Sequence, residues 1–398
     1  MKRAISILLG VCLAFSLCLA FVGCDDASQP DEGGDTEAEG VDFVGELFGE
    51  DLAETNFYNY CPSIMMEGED TMHVWYCSNR TSGNITDYIA YRKGTKNSEG
   101  KWVFSEKQIV LEPTLLTWDT MHTCDPTVVK GTFNYRDTDY TYLMAYLGCE
   151  SQDNMDNQVG LAVANAPEGP WIKCDDINPI CNYIDGDRFN GGSNSWGYGQ
   201  AGMISADKAG KVILTYSKAD SAGGGCYIEY WDFADLDDPQ MLSAQYVTLR
   251  NDGSLRPNGT QSSINNPDIA YDPNTNRLYV VSHNTYESGA GQDPTIIPSV
   301  SQVLYVQLEE EQEYIGELLF SGEAYSWTPV GYISEELTGF PRNHNSGIVT
   351  DEYGWLTDSG TLRVVTTVSC LASEGGDRPT PWPYLHSYRL HGVEFDIS

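Results

Sequence analysis

One unit recurs five times along this chain: a short polar start, an apolar strand, a turn rich in Asp and Gly, and a second apolar strand. The copies open at Cys61-Pro62-Ser63-Ile64, Asp125-Pro126-Thr127-Val128, Gln200-Ala201-Gly202-Met203, Asn266-Pro267-Asp268-Ile269 and Asn345-Ser346-Gly347-Ile348. Their second strands read MHVWYC, YTYLMAYLGC, KVILTYS, RLYVVSHN and TLRVVTTVSC. A unit this small cannot bury both faces of its strands alone, so repetition implies that neighbours stack on one another. Short runs of Tyr, Val, Ile and Trp divided by Gly, Asn and Asp dominate, and no long segment carries a 3.6-residue apolar period. The fold class is therefore all-β, and five copies predict a five-bladed β-propeller. A two-sheet sandwich is the competing architecture.

Third strands follow at DYIAYRKG, QVGLAVANA, CYIEYWDF, SQVLYVQLE and LHSYRLHG, and outer strands at WVFSEKQIVL, QYVTL and SWTPVGYI. Strands covered on both faces read as apolar runs rather than strict alternation, as these do. The fifth unit lacks a clear fourth strand of its own; either Phe43 to Phe48 completes it or nothing does.

Ahead of the repeats, Met1-Lys2-Arg3 and the apolar run Ala4 to Val22 have the charge and length of a secretory signal. Phe21-Val22-Gly23-Cys24 resembles a bacterial lipobox, which implies lipidation at Cys24 after cleavage; an uncleaved apolar anchor and a plain cleaved signal are the alternatives. Residues 25–40 carry seven acids and no Lys or Arg, a composition that cannot order itself. The expected organisation is a lipoprotein signal over 1–23, an acidic tether over 24–40 and one propeller domain over 41–398, exported and held at the extracytoplasmic face of a membrane.

The formal charge is −36, and removing Lys2 and Arg3 with the signal leaves 58 acids against 20 bases, or −38. Such a surface repels phosphate backbones, which argues against nucleic acid as a partner and leaves neutral ligands open. Eight cysteines follow Cys24, at 61, 77, 124, 149, 174, 181, 226 and 370, an even number suited to an oxidising compartment. None has CxxC spacing, so zinc has no support from the motif. If the first two hairpins turn at Glu67 to Asp70 and near Arg136-Asp137, Cys61 faces Cys77 and Cys124 faces Cys149 as cross-strand pairs.

In a propeller the innermost strands begin around one axis, so Cys61, Asp125, Gln200, Asn266 and Asn345 should point to a common centre. With these starts in place the chain resembles glycoside hydrolase family 43 and its five-bladed relatives. Asp125-Pro126, Gly199-Gln200-Ala201 and Asn343-His344-Asn345-Ser346 carry the resemblance, in order, across residues 58 to 390. It implies a carbohydrate pocket on the axis with three carboxylates from the first three innermost strands: a base, an orienting Asp and a Glu acid. Asp125 matches the orienting Asp, whereas Cys61 stands in place of the base and Gln200 in place of the acid. Inverting hydrolysis needs two carboxyl groups across a water, so catalysis has either moved or been lost.

Replacement acids are sought at Asp119, Glu150, Asp153 and Asp268 near the expected mouth. Trp118, Trp196 and Trp382 offer flat faces for sugar stacking, and Arg80 and Arg378 could orient an acidic sugar. His344 is expected to support substrate or, by the resemblance, an axial Ca2+ held through water, with Asp125, Gln200, Asn266 and Asn345 as oxygen donors. The expected function is hydrolysis of a neutral or uronic glycan or oligosaccharide, with a non-catalytic glycan-binding lipoprotein and a structural or adhesive propeller as rivals.

Overall fold

The computed structural model of the chain describes residues 39–48, 58–79, 86–152, 155–181, 196–220, 223–247, 264–283, 300–308, 315–316, 327–369 and 388–398. Cys24, Arg80, Asp153, Cys370, Arg378 and Trp382, with the leader and most of the tether, lie outside those residues.

The strands form five antiparallel blades. In chain order they are β1 (Gly45–Glu46); β2 (Tyr60–Glu67), β3 (Thr71–Asn79), β4 (Asp87–Lys96), β5 (Trp102–Phe104) and β6 (Gln108–Leu111) in blade 1; and β7 (His122–Tyr135), β8 (Thr138–Cys149), β9 (Gln158–Ala164) and β10 (Ile172–Lys173) in blade 2. Blade 3 holds β11 (Gly197–Ser205), β12 (Lys211–Asp220), β13 (Gly223–Asp232) and β14 (Gln240–Val247). Blade 4 holds β15 (Asp268–Asp272), β16 (Arg277–His283), β17 (Ser301–Gln307) and β18 (Thr328–Ile333). Blade 5 is β19 (Arg342–Thr350), β20 (Thr361–Ser369) and β21 (Arg389–Asp396), completed by β1, which pairs antiparallel with β21 as Gly45↔Gly392 and Glu46↔His391. The N-terminal segment thus supplies the missing outer strand and closes the ring. The architecture is a five-bladed propeller, not a sandwich.

The core is distributed as five wedges, one between each pair of neighbouring blades. Met65, Trp75 and Ile89 of blade 1 meet Val128, Met144 and Ala162 of blade 2, for example, and Leu47 and Phe48 join blades 5 and 1. The remaining wedges join blades 2 and 3, 3 and 4, and 4 and 5. This is why β9 and β19 are buried at every position and why the inner strands carry apolar runs.

Where each repeat begins, the backbone does something sheets normally avoid. Cys61, Asp125, Gln200, Asn266 and Asn345 all take positive φ, between +45° and +51°. The ladder register shifts across this point in four blades, between Tyr60 and Ser63, Cys124 and Thr127, Gly199 and Gly202, and His344 and Gly347. Those four starts are β-bulges that turn one side chain toward the axis, and Asn266 takes the same positive φ just ahead of β15. The left-handed region costs a non-glycine residue about 1–2 kcal/mol, and Asn and Asp tolerate it best. Three of the five starts are Asn or Asp. Pro62, Pro126 and Pro267 follow three of them, where a missing N–H is harmless because that position lies outside the ladder.

Candidate functional site

Each start turns its backbone N–H out of the ladder, and at four of the five the preceding blade supplies a side-chain acceptor. Cys61 N–H donates to Thr367 Oγ1 (3.0 Å), Asp125 N–H to Cys77 Sγ (2.8 Å), Asn266 N–H to Ser217 Oγ and Asn345 N–H to His283 Nε2 (2.8 Å). These acceptors occupy one equivalent position, at the end of the second strand. The blade 2 equivalent is Leu147, opposite Cys124, which has nothing to offer Gln200.

Two residues further along, a second layer clasps the blades in the same sense, each following blade donating an N–H to the one before it. Ser63 Oγ accepts Val128 N–H (3.2 Å), Thr127 Oγ1 accepts Met203 N–H (3.1 Å) and Asp268 Oδ2 accepts Ile348 N–H (2.7 Å). The two remaining equivalents are glycines. A Cβ at Gly347 would sit 2.1 Å from the Pro62 carbonyl oxygen, where blades 5 and 1 approach as parallel strands. A Cβ at Gly202 would sit 3.0 Å from Asp268 Oδ1. Since Gly202 can clasp nothing, Asp268 also accepts the Ile269 N–H.

Asp125 is the one carboxyl among the five starts. It is 3% exposed, hydrogen-bonded by the Cys61 thiol and the Gln200 amide, and its Oδ1 lies 3.3 Å and 3.2 Å from Cys77 Sγ and Cys124 Sγ. Those sulfurs form a disulfide, with Cα atoms 5.0 Å apart, that joins blade 1 to blade 2. The expected pairs Cys61–Cys77 and Cys124–Cys149 are therefore corrected: Cys61 and Cys149 are free thiols. A flat hairpin would place Cys61 opposite Cys77, but the bulge gives that place to Tyr60 and turns Cys61 away. Burial, reinforced by the charge of Asp87, pushes the Asp125 carboxyl up to about 7 against the lowering pull of its donors. Burial and Asp125 hold the Cys61 thiol well above its usual range, so it acts as a donor and not as a thiolate.

The floor around this ring is aromatic and polar. Gln200 Nε2 donates to Tyr60 Oη at 3.0 Å, and Tyr60 stacks on Tyr388 with centroids 5.3 Å apart. Tyr58 packs against both, and Trp196 lies against the cluster of Tyr58, Cys77, Cys124, Leu147 and Tyr388. Tyr58 also hydrogen-bonds Asp87, whose Oδ2 is 2.7 Å from His122 Nδ1. Burial works against a charged His122, but the hydrogen bond and charge of Asp87 outweigh it and raise its pKa. His344 sits between Tyr60, Tyr388 and His283, and burial keeps it neutral. His283 accepts at Nε2 from the backbone, so its proton is on Nδ1; the 3.0 Å contact with the Asn266 side chain closes as a hydrogen bond with the amide oxygen facing the ring. Cys61, Gln200, Asn266, Asp268 and Asn345 line a narrow axial cavity with room for about one water.

The other sequence-selected residues separate. Cys61, Gln200, Asn266, Asn345, His344 and Trp196 come together around Asp125. Asp119 does not: it is 1% exposed, in a short ion pair with Lys173, and accepts hydrogen bonds from Thr117 and Tyr146. Trp118 lies over Gly148 and Gly160 and stacks on Tyr146 at 5.6 Å, so it packs on the strands of blade 2. Glu150 is exposed beyond the end of β8. Asp268 is on the axis but one layer deeper, committed to backbone amides. Tyr58, Tyr60, Asp87, His122 and Tyr388 belong to the site but to none of the sequence motifs. Their signal was position: Tyr60 and Asp87 open the first and third strands of blade 1, and His122 opens β7.

No family model and no curated protein matches the chain. Among solved structures it is similar to an exo-β-1,3-galactanase of Phanerochaete chrysosporium in complex with β-1,3-galactotriose, at 13% identity over 90% of this chain and 64% of that one, TM-score 0.50. The chain shares its fold with a glycosidase propeller. It is also similar to an α-L-arabinofuranosidase of Podospora anserina in complex with cellotriose (12% identity, 90% and 96% covered, TM-score 0.49) and to a thermostable family-43 glycoside hydrolase (13%, 85% and 89%, 0.47).

Proposed function

We propose that this chain is a carbohydrate-active propeller that receives the end of a glycan over the axial ring and binds it without cleaving it. The observation that carries this reading is the ring itself: four neutral polar side chains and a single carboxyl, Asp125, set in an aromatic floor. Neutral hydroxyls suit such a mixture of donors and acceptors, and Tyr60 and Trp196 offer apolar faces beside them. Hydrolysis needs a second carboxyl facing the same cavity. Among the described residues Asp268 lines the cavity but is committed to the Ile348 and Ile269 amides, and Asp87, whose charge reaches Asp125, is engaged by His122 and Tyr58.

The neutral, buried His344 and the Asn side chains make sugar hydroxyls better ligands here than an acidic group would be. The signal and lipobox support display of this site at the extracytoplasmic face of a membrane, tethered through lipid at Cys24. The test is a panel of neutral oligosaccharides, galactose- and arabinose-based ones first, read by thermal shift and by release of reducing ends. The expected result is a shift without release. Release that Asp125→Asn abolishes would make the protein a hydrolase, and silence across the panel would remove the glycan reading in favour of a structural or adhesive propeller.

A further inference from the structure

The cluster of sulfur around Asp125 has a chemistry that glycan binding does not use. Cys77 Sγ, Cys124 Sγ and an Asp125 carboxylate oxygen all lie within 4.8 Å of one another, and the Cys61 thiol hydrogen-bonds the same carboxyl. While Cys77 and Cys124 are joined, neither can bind a cation. We propose that reduction of this disulfide uncovers a site for one soft d10 divalent cation, Zn2+ or Cd2+, held by the thiolates of Cys77 and Cys124 and by Asp125, with water in the fourth position.

Four features favour it. Two thiolates with one carboxylate form a donor set suited to tetrahedral zinc or cadmium and poorly suited to Ca2+. Asp125 Oδ1 is 3.3 Å and 3.2 Å from the two sulfurs, a carboxylate-to-sulfur spacing that fits one ion, and reduction frees the sulfurs to separate to the roughly 3.7 Å that two thiolates on a tetrahedral zinc require. The Asp125 N–H points at Cys77 Sγ from 2.8 Å, the outer hydrogen bond that metal-bound thiolates commonly receive. Cys61 and Pro126, the neighbours of this cluster, line the axial cavity, which has room for about one water beside it. Asp125 belongs to two different blades' contacts, so the ion would replace the covalent link between blades 1 and 2 with a coordinate one.

The chemistry balances with a phosphine as reductant: the disulfide takes up two electrons and two protons, water supplies the oxygen, and the phosphine leaves as its oxide. The cation then displaces the protons of the thiols it binds.

The experiment uses the full chain, oxidised and phosphine-reduced, titrated with Cd2+ and followed by ultraviolet sulfur-to-cadmium charge transfer. The reduced chain is expected to take up a single ion that the oxidised chain does not. Cys77→Ser/Cys124→Ser should lose that ion, and Asp125→Asn should bind roughly tenfold or more weakly. Because a variant could fail to fold, reduced wild type is also treated with maleimide with and without Cd2+; the ion should shield Cys77 and Cys124 but not Cys149. Equal uptake by the oxidised chain, retention by the double variant, or no shielding of Cys77 and Cys124 would each overturn the proposal.

Discussion

The axis carries two layers of blade-to-blade contacts, one at the bulged starts and one two residues deeper, and each contains one buried aspartate. Burial pushes both carboxyls up to about 7. Their partners differ. Asp268 is met by the backbone amides of Ile348 and Ile269, which are fixed by the strands that carry them. Asp125 is met by the side chains of Cys61 and Gln200, which can rotate and exchange partners, and it stands beside the cavity and the aromatic floor. A shifted pKa alone therefore does not mark a functional carboxyl in this protein; the kind of donor facing it does.

Breaking the starting layer where it is covalent should have the largest effect. The Cys77–Cys124 link closes 47 residues, and Cys77→Ser/Cys124→Ser is expected to cost about 2–4 kcal/mol in chemical denaturation. In the deeper layer, Asp268→Ala should cost about 1–3 kcal/mol by leaving Ile348 N–H buried and unmet, whereas Asp268→Asn, which keeps an acceptor, should cost clearly less. If Asn and Ala are equally damaging, the clasp account of Asp268 is wrong.

The layers also differ in what pH reveals. Folded Asp125 keeps its proton to about pH 7, while an unfolded Asp releases it near 3.9. Between those values the folded state binds more protons, so this group's contribution to stability falls as pH rises and is flat above about 7. His283, held down to about 3 by burial, and His344 act in the opposite sense below about 6.5, so the whole-protein profile mixes both. The difference in Tm between wild type and Asp125→Asn isolates the carboxyl: it should drift by a few degrees against wild type from pH 4 to 7 and then stop. The smallest effects are expected at the neutral clasps, where Ser63→Ala and Thr127→Ala should each cost about 1 kcal/mol.

The blades were legible in the sequence because every copy repeats the same local events: a polar start, often a proline, and a strand apolar on both faces. The closing strand was only a leftover segment, since two residues of pairing, Gly45 and Glu46, leave no periodic trace. The ring was legible for the same reason as the blades. The disulfide was not, because the positive φ at Cys61 and Asp125 shifts the register by which partners are counted. Asp119 was misplaced because its partner Lys173 lies 54 residues away on the outer edge of blade 2. Tyr58, Asp87 and His122 form a network across three segments, and nothing in any one of them announces the other two.

The account rests on Asp125 being the carboxyl that meets a ligand and Asp268 the one that holds blades together. Calorimetric titration of the best-binding oligosaccharide into wild type, Asp125→Asn and Asp268→Asn tests this directly. Loss of binding at Asp125→Asn with binding retained at Asp268→Asn is the predicted result. Unchanged affinity in Asp125→Asn, or an equal loss in both variants, would contradict it.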